Sequence, residues 1–149
     1  MTDDKKIALV SDHAGYPLKA QIATYLESMG YQILDLGPDT DAVSVDYPLK
    51  AAELAHALKD KKAERGIAIC GTGIGVCIAL NRFPFIRAAL VDKQKTALFS
   101  RLHNDANVLC LGGRITPYIT AIQLVETFLN TPFEGGRHQR RVLELGEMK

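Results

Sequence analysis

Cysteine is scarce in this chain, net charge is close to absent, and no long apolar run occurs. Each shortage narrows what the protein does. The 149 residues contain three cysteines, an odd count with no CxxC pair and no metal-like spacing, which fits a reducing, cytoplasmic setting. Lysine plus arginine number 18 against 17 acidic residues, a formal net charge of +1. No global field therefore favours nucleic acid or an acidic membrane. No apolar run approaches the roughly 18 residues that span a bilayer. Residues 1–6 lead into only four apolar positions, which does not read as a secretory signal. Tryptophan is absent, which excludes nothing. There is no repeat, linker or low-complexity tract.

What is present is a chain that is 47% hydrophobic, enough for one ordinary globular domain over residues 1–149. Five short apolar stretches read as strands: 6–10, 32–36, 66–70, 87–91 and 107–111. Helical segments alternate with them at 18–29, 48–60, 93–102 and from Thr116-Pro117 to about 129, with a last one near 137–146. Gly30 suits the end of the first. Asp46 or Tyr47 with Pro48 suits the start of the second, and Asp92 is placed to cap the third. Such alternation means right-handed βαβ units and a parallel sheet covered on both faces. Ligands then bind beyond the carboxyl ends of the strands. Asp12 and His13, residues 70–75, Asp92 and residues 112–114 are expected on that edge.

The most informative stretch is Ile67-Ala-Ile-Cys-Gly-Thr-Gly-Ile-Gly-Val76. A buried strand runs into alternate glycines and a helix start, where backbone N–H groups close on an anion without Cβ obstruction. Cys70 sits at the lip. It is either a buried core thiol or a nucleophile activated by the helix N-terminus. Cys77 and Cys110 lack that setting and read as core. In Ser11-Asp-His-Ala-Gly15, Asp12 either caps a turn or handles a sugar oxygen. His103, in Arg101-Leu-His-Asn-Asp105, either complements a helix C-terminus or reaches over the strand ends as a general acid. Arg137 and Arg141, one helical turn apart, either form a solvated basic patch or clamp a phosphate monoester. No aromatic platform accompanies them, which argues against nucleic acid. His56 carries no assignment.

With Asp46-Tyr-Pro48 and Glu134-Gly-Gly-Arg-His-Gln-Arg-Arg-Val142 added, these five motifs, in order and over nearly the whole length, resemble type B ribose-5-phosphate isomerase of the ribose/galactose isomerase family. The resemblance implies a Rossmann-like, three-layer α/β/α fold with a five-stranded parallel sheet. It implies an aldose–ketose isomerase of the pentose phosphate pathway that uses neither metal nor cofactor. Assembly would be a homodimer or dimer of dimers with shared active sites. One branch of that family uses a glutamate where Val76 stands here; the other uses a cysteine base, which Cys70 matches. On this resemblance His103 opens the sugar ring, Asp12 holds sugar oxygens and Cys70 moves a proton between C2 and C1. The N–H groups of Gly71, Gly73, Ile74 and Gly75, with the Thr72 hydroxyl, meet the enediolate charge. Tyr47 and Asn104 position hydroxyls. His13, Arg114, Arg137, His138 and Arg141 hold the phosphate. Six-carbon phosphosugars such as allose 6-phosphate or galactose 6-phosphate are alternative substrates, and the loop 39–45 is placed to tune sugar length.

A nucleotide-binding module is the rival of another class, because the glycine motif is similar to a dinucleotide fingerprint. That fingerprint wants its third glycine where Val76 sits and belongs after the first strand, not the third. A non-catalytic phosphosugar sensor is a further alternative.

Overall fold

The computed structural model describes residues 5–148; the opening segment 1–4 lies outside them. Five strands, β1 (Lys6–Ser11), β2 (Gln32–Asp35), β3 (Arg65–Cys70), β4 (Ala88–Leu90) and β5 (Val108–Gly112), form one sheet in the order β2-β1-β3-β5-β4. Every pairing is parallel. The helices are α1 (Tyr16–Ser28), α2 (Tyr47–Lys59), α3 (Ile74–Leu80), α4 (Gln94–Leu102), α5 (Tyr118–Asn130) and α6 (Arg137–Glu147).

Alternate strand residues point to opposite faces, and each face has its own core. On one, Ile7, Leu9, Ile67, Ile69, Leu109 and Leu111 pack under α1, α4 and α5. On the other, Ala8, Val10, Ala68, Cys70, Val108 and Cys110 pack under α2 and α3. The order reverses between β1 and β3, since β1 is followed outward by β2 and β3 leads the other way. A crevice opens at such a switch point.

The helix starts depart from the sequence expectation in one respect. Asp46 is the N-cap of α2 but makes no side-chain cap bond, and α4 is preceded by Lys93 rather than capped by Asp92. Pro48 and the Lys93 backbone, extended at φ −131° and ψ 144°, set these starts instead. At the other end, the Gly30 N–H donates to the Glu27 carbonyl and the Tyr31 N–H to that of Leu26, closing α1 as expected.

Candidate active site in two halves

The carboxyl edge of the sheet carries the first half. Cys70 ends β3, next to Gly112 of β5, and Ser11 pairs with Ile69, so Asp12 lies beside Cys70 across one strand spacing. Cys70 is buried, and the Gly73 N–H donates to its Sγ at 3.2 Å. That bond fixes the sulfur at the mouth of the loop. It requires the loop to turn sharply, which Gly73 does in the left-handed region at φ +81°. The Ile74 N–H donates to Thr72 Oγ1 at 3.2 Å. Two of the loop amides expected to face an anion are therefore engaged within the loop, one of them with the thiol itself.

Around this loop stand the other expected residues. The Tyr47 ring covers Gly75 so closely that a Cβ there would lie 2.6 Å from its Cζ. Arg114 Nη1 would lie 3.4 Å from a Cβ on Gly71, and the Arg114 N–H donates to the Gly71 carbonyl at 2.9 Å. Asp12 is buried and accepts the Gly15 N–H at 2.9 Å through Oδ1; the turn role is real, and it holds the carboxylate at the site. His13 Nδ1 accepts the Val45 N–H at 3.2 Å, which leaves the proton on Nε2 and ties the 39–45 loop to the same edge. Asp92 is exposed.

His103 does not join them. It caps the C-terminus of α4, its N–H donating to the Phe99 carbonyl at 2.9 Å. In a βαβ unit that end returns to the amino edge of the sheet. The five residues of β5, about 16 Å of strand, separate it from the level of Cys70. Reaching over the strand ends within one chain is therefore corrected by the topology. His103 instead belongs to a second half. Its ring stacks on Phe99 (centroids 4.7 Å apart) and on His138 (4.3 Å, planes 15° apart). The Glu134 N–H bonded to the Leu102 carbonyl at 3.0 Å brings the start of α6 against the end of α4. His103, Asn104, His138 and Arg141 line a cavity of about 560 Å³ there. Arg137, also on the first turn of α6, is exposed, as is Arg141. The first half holds the Cys70 thiol, the Asp12 carboxylate and the loop amides; the second holds the His103 and His138 imidazoles with Arg141.

Electrostatics separate groups the sequence treats alike. Burial, then the neighbouring His103 and Arg137, push the His138 imidazole below its ordinary range, with Glu134 opposing. Cys77 is only half-buried, and hydrogen bonding to Cys110 draws its thiol down to about 7 against the opposing effect of burial. Burial pushes Cys110 well up. Reading Cys77 as core is thus half right: it faces the α2–α3 core, but its sulfur lies 3.6 Å from the Ala88 carbonyl and from Asn81 Nδ2. Sequence reading missed Phe99 as the support of His103 and Glu134 as the neighbour of His138. The i, i+4 spacing of Glu134 and His138 was the available signal for the latter.

The model of the Ribose/Galactose Isomerase family matches residues 7–145. A probable ribose-5-phosphate isomerase B of Mycoplasma pneumoniae is 46% identical over 136 residues, 91% of this chain and 90% of that protein. A solved ribose-5-phosphate isomerase B of Clostridium thermocellum superposes with a TM-score of 0.93 at 46% identity, covering 95% of both chains. The enzyme of Mycoplasma genitalium, solved with bound ribulose-5-phosphate, superposes at 0.90 with 42% identity, covering 95% of this chain and 94% of that one.

Proposed function

The chain belongs to the ribose/galactose isomerase family, and from that membership we propose that it interconverts D-ribose 5-phosphate and D-ribulose 5-phosphate. The observation that carries the reading is Cys70, its sulfur held at 3.2 Å by the Gly73 N–H on the carboxyl edge of the sheet, in a chain of this family. The Mycoplasma genitalium relative was solved with ribulose-5-phosphate. Val76 is buried in the core, so the position where the other branch of the family carries glutamate offers no base here.

In the reaction, His103 protonates the ring oxygen as its bond to C1 breaks, while the O1 hydroxyl gives its proton to solvent and the open-chain aldehyde forms. The Cys70 thiolate takes the C2 proton; the C–H electron pair becomes the C1=C2 bond and charge moves onto O1. Thr72, whose oxygen accepts the Ile74 N–H, turns its O–H outward to that oxyanion, beside the N–H groups of Gly71 and Gly75. The proton on O2 passes to O1. Cys70 returns its proton to C1, leaving the ketone at C2. Asp12 and Tyr47 bind sugar hydroxyls, as does Asn104. Arg137 and Arg141, with Arg114 and His13, hold the phosphate.

The two halves meet only if a second copy supplies one of them. A two-fold axis brings the His103 half of one subunit over the Cys70 half of its partner and makes two equal sites. Exposed apolar side chains fit such an interface: Ile74 and Ile78 on α3 are 51% and 54% exposed, and Leu145 and Met148, which also line the His103 cavity, 45% and 68%. A dimer, or a dimer of dimers, is therefore the working form. Three free cysteines fit a cytoplasmic location.

Conversion of ribose 5-phosphate, followed as ketose formation, tests the activity. Arg137→Ala and Arg141→Ala are expected to raise KM strongly; unchanged kinetics in both would remove the phosphate clamp.

A further inference from the structure

We propose that His103, Glu134 and His138 form a binding site for a divalent transition ion of the zinc class, and that the bound ion inhibits the enzyme by occupying His103. One donor atom from each residue lies within 4.8 Å of the other two. Two imidazoles and a carboxylate are a donor set that zinc accepts, with a fourth position left open. Tetrahedral coordination asks for donors roughly 3.3 Å apart. Glu134, with 55% of its side chain exposed, is free to swing inward, while the rings of His103 and His138, stacked face to face with planes 15° apart, have to tilt for their in-plane nitrogens to converge on one ion.

A second observation is independent of the clustering. His138 is 6% exposed, yet its Nε2 has no hydrogen-bond partner among the described residues; Glu134 Oε1 lies 3.9 Å from it. A buried polar atom without a partner costs stability, and a ligand to this nitrogen removes that cost. Arg137 and Arg141 face the same imidazole and oppose a cation. The affinity is therefore that of an inhibitory ion rather than a resident one, and removal of Glu134, the only acid of the three, is decisive. Inhibition rests on the role given to His103 above; the site itself does not.

The test uses Co²⁺ as a spectroscopic stand-in, titrated into the full-length protein, with Zn²⁺ inhibition of isomerase turnover measured in parallel. Wild type and Cys70→Ala should both show the visible absorption of a four-coordinate cobalt site. Glu134→Gln should lose it, keep metal-free turnover, and require at least roughly tenfold more Zn²⁺ for half inhibition. Cobalt absorption that survives Glu134→Gln, or vanishes in Cys70→Ala, overturns the site. Cobalt bound as expected, with Zn²⁺ leaving wild-type turnover untouched, overturns the role of His103 instead.

Discussion

Three thiols on one face of the sheet have three different surroundings, and they should react differently. Cys70→Ala should lower kcat by roughly 10²–10⁴-fold with little change in KM, the size of a lost positioned proton transfer; steady-state kinetics on ribose 5-phosphate check this. Alkylation by iodoacetamide, read by peptide mass, should label Cys77 increasingly as pH rises through about 7. It should leave Cys110 unlabelled in the native protein, and substrate should protect Cys70 alone. His138 gives a pH dependence of stability. Its folded-state pKa lies below the ordinary value, so the unfolded chain binds the proton more readily and stability falls as pH drops through about 6.5. The groups facing it are His103 from α4, Glu134 from the preceding loop, and Arg137 and Arg141 from α6. Denaturant midpoints between pH 8 and 5 should fall less steeply in His138→Gln than in wild type.

At the level of elements, the site depends on how α3 leaves β3. An alanine at Gly73 would carry φ +81° and set its Cβ 2.6 Å from Leu90 Cδ1 and 2.9 Å from the Leu111 carbonyl carbon. At Gly30, also left-handed at φ +91°, a Cβ meets nothing within 4 Å. Gly30→Ala should therefore cost only the conformational term, about 1–2 kcal/mol, and Gly73→Ala distinctly more, with loss of turnover. Equal costs in chemical denaturation would contradict the packing described here. Lys19 of α1, 1% exposed, is bonded at 2.6 Å to Asp35 at the end of β2. Asp35→Ala strands that ammonium, for a loss on the order of 2–3 kcal/mol, less than for a fully buried pair because the carboxylate is 44% exposed. The elements themselves were readable because apolar runs and helix punctuation coincide, as at Gly30 and Pro48. The caps were less so: Asp92 is a good cap by residue type, yet Lys93 takes the position, because an exposed start is satisfied by extended backbone and water as well as by a carboxylate.

Across the whole molecule, the carboxyl-edge half was legible and the rest was not. Strand ends in a parallel sheet gather by topology, so Asp12, Cys70 and Arg114 could be placed together from order alone. His103, Arg137 and Arg141 follow helices that run back to the opposite edge. The proposed function uses them, but spacing along one chain does not place them against Cys70. Their separation by about the length of β5 is what the proposed shared site rests on, and the near-neutral charge of +1 sets little repulsion between two copies. The most direct test mixes two inactive variants. Cys70→Ala and His103→Ala, co-refolded or co-expressed in equal amounts, form mixed dimers in which one of the two sites carries both intact residues. Random pairing should restore about a quarter of wild-type turnover. If the mixture stays as inactive as its parents while mixed dimers are present by native mass spectrometry, Cys70 and His103 do not act across a subunit boundary, and the two-half site is wrong.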